Sequence, residues 1–139
     1  MSVEIDIRYG GGLRCTAVHA PSGNTLLTDA PTDNGGQGAA FSPTDLVATA
    51  FGTCMATIMG LVAQRNYLNL DGLQIQVLKE MTTDPVRRIG ALKTRLTFPP
   101  GTTLSTADRA KLEAAARACP VAQSLHPDVK TPVEFIYPA

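Results

Sequence analysis

The sequence from Ser42 to Asn66 is S-P-T-D-L-V-A-T-A-F-G-T-C-M-A-T-I-M-G-L-V-A-Q-R-N. Ser42 suits the N-cap of a helix, Pro43 suits the first helical position, and Asp45 completes a capping box. No residue between Asp45 and Arg65 carries a charge. These features predict a long helix that starts directly after Ser42.

The predicted helix has no water-facing side, because apolar residues surround its whole axis. Such a helix is buried either in a protein core or in a bilayer. A membrane span needs about 20 apolar residues, and threonines and glycines dilute a run that is already near this limit. We therefore interpret the segment as a central core helix and predict no membrane association.

Two stripes on this helix follow a four-residue spacing. Ala48, Gly52, Ala56 and Gly60 form a ridge of small side chains that lets another backbone approach closely. The ridge predicts contact with a partner helix, and a symmetric dimer would provide one. Cys54 lies in mid-helix, on a second stripe with the same four-residue spacing. Apolar burial alone makes a thiol inert, so this position by itself indicates a structural cysteine.

The composition fits a single domain over residues 1–139. The formal net charge is zero and there is no Trp, so nothing indicates nucleic acid as a partner. The N-terminus has acidic residues among its apolar ones and does not resemble a secretory signal, which predicts a cytoplasmic location. Three cysteines do not make a disulfide framework, and any disulfide among them is expected to be transient and catalytic.

Alternating apolar residues predict strands at 3–9, 13–20 and 25–28, with Gly10–Gly12 as the first turn. The glycine-rich segment 30–41 is a loop that either lines a site or only connects elements. Further strands are predicted at 73–77, around 92–98 and at 133–137. The order predicts an α+β fold, β-β-β-α-β-β-α-β, with mainly antiparallel sheet around two helices.

The second predicted helix runs from about Thr106 to Ala118, with Ser105 and Asp108 repeating the capping signature. Pro120 should end it, because the residue before a proline disfavours helical geometry. Pro120 can also begin a new short turn, which would place Cys119 at its N-cap.

The sequence does not indicate a metal or cofactor site. His19 and His126 are the only histidines, and neither Cys-x-x-Cys nor His-x-x-x-His spacing occurs. The glycines at 35–38 do not match a phosphate-binding loop. We expect no metal and no cofactor.

Two cysteine motifs and a hairpin segment resemble segments of a known protein family. The first motif is F-S-P-T-D-L-V-A-T-A-F-G-T-C-M-A-T-I-M, the second is A-A-R-A-C-P-V-A-Q-S-L, and the hairpin segment is P-V-R-R-I-G-A-L-K-T-R-L-T-F-P. They resemble, in the same order, the central-helix motif, the Cys-Pro motif and a hairpin of the OsmC/Ohr family, which comprises osmotically inducible protein C and organic hydroperoxide resistance protein. The resemblance covers nearly the whole chain.

The resemblance implies a thiol peroxidase that reduces organic hydroperoxides, in an intertwined homodimer with its reactive cysteines near the subunit interface. Cys54 matches the peroxidatic cysteine and Cys119 the resolving one. Cys54 thiolate would attack the O–O bond and become a sulfenic acid, which condenses with Cys119. An external dithiol would then reduce the disulfide.

A buried thiolate needs a nearby cation. Members of the Ohr branch use an Arg from the N-terminal hairpin, paired with a Glu at the start of the central helix. Arg14 is the best match for that Arg, and Arg8 is the alternative. For either residue, a solvated side chain on a strand is an equally good interpretation. The Glu position falls on Thr44, which suggests an OsmC-like member outside the Ohr branch. Without that Glu, we expect Arg14 to be mobile.

Two other functions stay open. The absence of Glu at position 44 favours a binding module that holds a small apolar ligand without turnover. A redox sensor, in which Cys54–Cys119 oxidation changes dimer packing, is the other alternative. Cys15 has no matching role in the family and is expected to be a small strand residue that faces the packed side of its sheet.

Overall fold

The computed structural model describes residues 1–139. The strands are β1 (Ile5–Gly11), β2 (Arg14–His19), β3 (Thr25–Asp29), β4 (Gln74–Thr82), β5 (Arg88–Thr97) and β6 (Val133–Ile136). The helices are α1 (Pro43–Arg65), α2 (Thr106–Arg117) and α3 (Pro120–Ser124), with a short 3₁₀ helix at Thr32–Asn34. The predicted α+β order is confirmed, and α3 is the short turn expected after Pro120.

The chain divides into two compact units, Met1–Val47 and Ala48–Ala139. The first unit holds an antiparallel sheet in the order β1-β2-β3. Gly11 and Gly12 have φ angles of 87° and 62°, a backbone region that favours glycine. The glycine run therefore makes the predicted turn between β1 and β2. A single domain over the whole chain stays a prediction.

The loop from Ala30 to Phe41 is compact and folds back on β3. The Asp29 amide donates a hydrogen bond to the Phe41 carbonyl at 3.1 Å, and the Gly38 amide donates to the Ala30 carbonyl at 3.2 Å. A Cβ atom on Gly36 would lie 1.8 Å from the Ala30 carbonyl oxygen, so this close approach requires glycine. The loop ends at α1.

The N-terminus of α1 is capped as predicted. The Asp45 amide donates to Ser42 Oγ at 3.1 Å, and the Ser42 amide donates to Asp45 Oδ2 at 2.9 Å. This reciprocal pair satisfies two amides that the helix itself leaves unpaired. The same signature starts α2, where the Asp108 amide donates to Ser105 Oγ at 3.1 Å.

The second unit contains the sheet β4-β5-β6 and one hydrophobic core. β4 and β5 pair antiparallel, whereas β6 pairs parallel to β5, an exception to the mainly antiparallel prediction. The large side chains that the core encloses completely or nearly so come from α1, β5 and α2. They are Phe51, Met55, Met59, Leu92, Leu96 and Leu112.

Helix α1 is long and apolar enough to cross a membrane by length and composition alone, with a mean hydropathy of 1.9 in its most apolar window. The core helix of a soluble protein meets the same criteria. Met55 and Met59 have no solvent exposure, and Phe51 has almost none. These contacts support the interpretation of α1 as a core helix.

The prediction that α1 has no water-facing side is wrong for the chain by itself. Thr49, Thr53, Thr57 and Leu61, spaced by four residues, are exposed along one stripe. Thr53 Oγ1 donates to the Thr49 carbonyl and Thr57 Oγ1 to the Thr53 carbonyl, both at 2.8 Å. Because these two hydroxyls are bonded within the helix, the stripe is less polar than its composition indicates.

The small-residue ridge also has a different neighbour from the predicted one. A Cβ atom on Gly52 would lie 2.9 Å from Val77 Cγ2 and 3.4 Å from Ile75 Cγ2, both on β4. At Gly52 the close approach is therefore to a strand of the same chain rather than to a helix. A Cβ atom on Gly60 would meet nothing within 4 Å.

Candidate active site

Helix α1 places Cys54 at the margin of the core. Phe51, Met55 and Met59 occupy the enclosed face of the helix, and Cys54 is one position before Met55. Cys54 and Ile58, four residues on, are partly buried and pack against the core. Cys54 is therefore held by hydrophobic packing and retains some solvent access.

Cys119 lies between α2 and α3. Pro120 begins α3, and Cys119 is its N-cap residue with an extended backbone. Its Sγ accepts a hydrogen bond from the Ala122 amide at 3.4 Å. The Cys119 side chain is completely buried. Cys119 thus occupies the N-cap that the sequence predicted, and its sulfur lies inside the core.

Cys54 and Cys119 lie close together although 65 positions (119 − 54) separate them in the sequence. The Cys54 side chain lies close enough to Cys119 to interact with its thiol. Burial raises the pKa of Cys119, and the neighbouring Cys54 raises it further. Cys119 is therefore a neutral thiol at neutral pH and can donate its proton. The redox roles assigned to the pair stay predictions.

The Arg14 side chain has two partners within the first unit. Arg14 Nε lies 3.7 Å from Asp29 Oδ2, and Arg14 Nη2 donates to Gln37 Oε1 at 2.9 Å. Arg14 therefore has polar partners although position 44 is not Glu, and its expected mobility stays a prediction. Asp29, at the end of β3, supplies a carboxylate instead.

Asp29 is the most enclosed charged residue of the first unit, with 1% of its surface exposed. The Ala39 amide donates to Asp29 Oδ2 at 3.0 Å. This hydrogen bond and the Arg14 charge lower the pKa of Asp29, against the opposing effect of burial. Asp29 is thus an ionised residue that joins β3 to the returning loop.

Arg14 and Asp29 line an open pocket of about 690 Å³ in the first unit. Gly10, Gly11 and Gly12 form part of its wall, and Cys15, Thr28, Gln37 and Ala39 are among its other lining residues. Residues of the loop 30–41 therefore line this pocket, and its predicted role at a functional site stays a prediction. Cys15 is partly buried.

The remaining residues considered from the sequence have less distinctive positions. Arg8 is exposed on β1, opposite Thr16 of β2. The Thr44 hydroxyl lies 3.2 Å from Ser42 Oγ, within the N-terminal cap of α1. Arg14 belongs to the first unit and the cysteine pair to the second, so activation of Cys54 by Arg14 stays a prediction.

Sequence reasoning missed Asp29 and Gln37. An acidic residue that directly follows a short strand and precedes a glycine-rich loop is a weak signal for a buried carboxylate. Gln37 lies in the segment N-G-G-Q-G, where no periodicity indicates the direction of a side chain. Antiparallel pairing of β2 with β3 places Asp29 opposite Arg14, and the return of the loop brings Gln37 beside Arg14.

Comparison with known proteins identifies the family. A family model described as OsmC-like protein matches residues 35–134. A crystal structure from Psychrobacter arcticus, provisionally described as an osmotic stress induced and detoxification response protein, is 40% identical, with a TM-score of 0.88. The match covers 94% of this chain and 93% of that one. The chain belongs to the OsmC-like family.

More distant structures share the fold. OsmC of Legionella pneumophila, named an organic hydroperoxide resistance protein, has a TM-score of 0.76 at 16% identity, over 98% of this chain and 97% of that one. The organic hydroperoxide resistance protein OhrB of Bacillus subtilis has a TM-score of 0.69 at 17% identity, and the match covers 97% of this chain and 98% of that one. No curated protein matches the sequence. The α+β fold is that of the OsmC/Ohr proteins, and membership outside the Ohr branch agrees with these comparisons.

Proposed function

We propose that this protein is a cysteine-based peroxidase that reduces organic hydroperoxides. The observation that carries the proposal is the proximity of two thiols of unequal access, a partly exposed Cys54 and a buried Cys119. A peroxidatic sulfur must be reached by the substrate, whereas a resolving sulfur must be reached only by the sulfenic acid. The two positions fit these separate requirements.

The proposed reaction is balanced at each step. The Cys54 thiolate attacks one oxygen of the hydroperoxide, the O–O bond breaks, and the leaving alkoxide takes a proton to become the alcohol. The Cys119 thiol then attacks the Cys54 sulfenic acid and releases water, which forms the Cys54–Cys119 disulfide. A dithiol returns two electrons by exchange and becomes oxidised itself.

We assign Arg14 as the cation that assists Cys54, on the basis of its match to the hairpin Arg of the Ohr branch. A guanidinium remains charged when it is partly buried, and Asp29 and Gln37 are the polar partners of Arg14. Arg14→Ala should slow alkylation of Cys54 by iodoacetamide at neutral pH, with Arg8→Ala as the matched control. An equal rate in wild type and Arg14→Ala would remove Arg14 from the site.

A homodimer in the cytoplasm is part of the proposal. One face of the first sheet carries Ile5, Ile7 and Tyr9, with exposures of 51%, 68% and 64%. Their strand partners on that face include Ala17 and Cys15. A contiguous apolar face of this kind marks an interaction surface. Ile7→Asp should shift the mass in analytical ultracentrifugation from dimer to monomer, and Arg8→Asp, on the opposite face, should leave it unchanged.

Ligand binding without turnover is the second candidate. The ion pair with Asp29 favours it, because a carboxylate that neutralises Arg14 reduces the charge available to a thiolate. In that case the 690 Å³ pocket beside Arg14 would hold the ligand. Turnover that depends on Cys54 separates the two functions.

The test is consumption of cumene hydroperoxide with dithiothreitol as reductant. Wild type and Cys15→Ser should turn over at the same rate, whereas Cys54→Ser should fall to the uncatalysed background. Without reductant, Cys119→Ser should form a sulfenic acid that dimedone traps, whereas wild type should form the Cys54–Cys119 disulfide. Equal rates for wild type and Cys54→Ser would reject the peroxidase and favour the binding module.

A further inference from the structure

We infer that the external reductant attacks the Cys54 sulfur of the disulfide, and that Cys119 is always the leaving group. This inference rests on the proposed function, because it concerns how the Cys54–Cys119 disulfide is reopened. It identifies the sulfur that a partner thiol must reach. The two sulfurs of the pair differ in access and in leaving-group character, and these two properties predict opposite outcomes.

Access favours attack on Cys54. Thiol exchange proceeds through attack of a thiolate on one sulfur of the disulfide, so the approach to that sulfur must be open. Cys119 has no solvent exposure, whereas Cys54 is partly exposed. Cys119 also belongs to the core cluster that contains Leu112 and Ala116 of α2. A solvent-borne thiolate therefore cannot approach Cys119 unless α2 and α3 separate.

Leaving-group character favours the reverse direction. A thiol of lower pKa leaves faster, and burial raises the pKa of Cys119. Considered alone, the raised pKa would disfavour Cys119 as the leaving group. The access difference prevails because it blocks the approach, whereas the raised pKa only slows the departure of Cys119.

The Ala122 amide reduces the disadvantage of Cys119 as a leaving group. It donates to Cys119 Sγ at 3.4 Å, and the Val121 backbone amide also lowers the pKa of Cys119. A hydrogen bond to the charged form stabilises that form. The sulfur that leaves thus carries a preformed donor directed at its developing negative charge.

The reductant thiolate forms a bond to Cys54 Sγ, the Sγ–Sγ bond breaks, and the electron pair goes to Cys119 Sγ, which takes a proton from water. The second thiol of the reductant then attacks the reductant sulfur of this mixed disulfide. Cys54 thiolate is released and the reductant leaves as its own disulfide, so two electrons pass to the protein.

The experiment makes the disulfide with diamide in Cys15→Ser protein, so that it does not depend on peroxidase activity. Oxidised protein is mixed with cysteamine, quenched with acid, denatured and alkylated with N-ethylmaleimide, and the two cysteine peptides are analysed by mass spectrometry. We expect cysteamine on Cys54 and maleimide on Cys119, with a ratio of at least about ten to one over the reverse pattern. The ratio should approach unity when cysteamine is added in 6 M guanidinium chloride, where access no longer differs.

Cysteamine on Cys119, or equal labelling of both peptides in the native protein, would overturn the inference. Failure of diamide to link the two cysteines would overturn it as well. If diamide forms the disulfide and a hydroperoxide does not, the proposed function is rejected. The labelling ratio would still decide the inference about the reductant. The two failures are therefore distinguishable.

Discussion

Replacing Gly52 by Ala sets two effects of comparable size against each other. Alanine is more favourable than glycine in a helix interior by about 0.8–1.0 kcal/mol. The new Cβ atom would lie 2.9 Å from Val77 Cγ2, whereas carbon atoms prefer separations of about 3.5–4.0 Å. Val77 is stiff at χ1 and belongs to β4, so relief requires a shift of the strand. Overpacking of this kind costs about 1–3 kcal/mol.

Gly60→Ala on the same helix isolates the steric contribution. It gains the same helix propensity, and its Cβ atom would meet nothing within 4 Å. Gly60→Ala should therefore raise the free energy of unfolding by about 1 kcal/mol. The free energy of unfolding of Gly52→Ala should be about 1–3 kcal/mol lower than that of Gly60→Ala. Val77→Ala in the Gly52→Ala background should recover part of that difference, because it removes the clashing methyl group.

Urea unfolding followed by circular dichroism at 222 nm measures these differences, since the chain has no Trp to report on unfolding by fluorescence. In thermal unfolding, 1 kcal/mol corresponds to about 3–4 °C for a chain of this length. All variants should be compared at one protein concentration, because association changes apparent stability. Stabilities of Gly52→Ala and Gly60→Ala that agree within about 0.5 kcal/mol would refute the packing of Gly52 against β4.

Two further predictions concern the first unit. Gly36→Ala places a Cβ atom 1.8 Å from the Ala30 carbonyl oxygen, so the loop must open and the Asp29 amide should exchange with deuterium at least about tenfold faster. Gly10→Ala, whose Cβ atom would have its nearest neighbour at 3.8 Å, should leave that rate unchanged. The lowered pKa of Asp29, due first to the Ala39 amide, stabilises the folded state above the ordinary value of 3.8 and loses this effect as pH falls below it. The stability difference between wild type and Asp29→Asn, measured in urea, should therefore narrow as the pH falls below about 4, and a constant difference would contradict the assignment.

The sequence predicts the helix boundaries well, because capping depends on side chains within a few residues of the helix end. Ser42 and Ser105 cap their helices as expected, and Cys119 caps α3 because Pro120 cannot continue α2. The positions of the strands along the chain follow from the alternation of apolar and polar residues, which is also a local pattern. β4 continues to Thr82, past the predicted end at 77, because pairing with β5 supports residues whose own pattern is ambiguous.

Contacts between distant segments could not be predicted in this way. Residue spacing does not bring Cys54 to Cys119, and only the family resemblance paired them. The Asp29 side chain is buried because a loop without periodicity returns to β3, which no local pattern encodes. The small side chain of Gly52 indicates close approach correctly but does not distinguish a strand from a helix as its neighbour.

The most direct test of the central claim is a count of free thiols in a single turnover. The chain has three cysteines, so denatured wild type should react with three equivalents of Ellman's reagent. After one equivalent of cumene hydroperoxide without reductant, the count should fall to one, with Cys15 free and a Cys54–Cys119 disulfide in the peptide map. A count that stays at three, or a disulfide that includes Cys15, would contradict the proposed peroxidase.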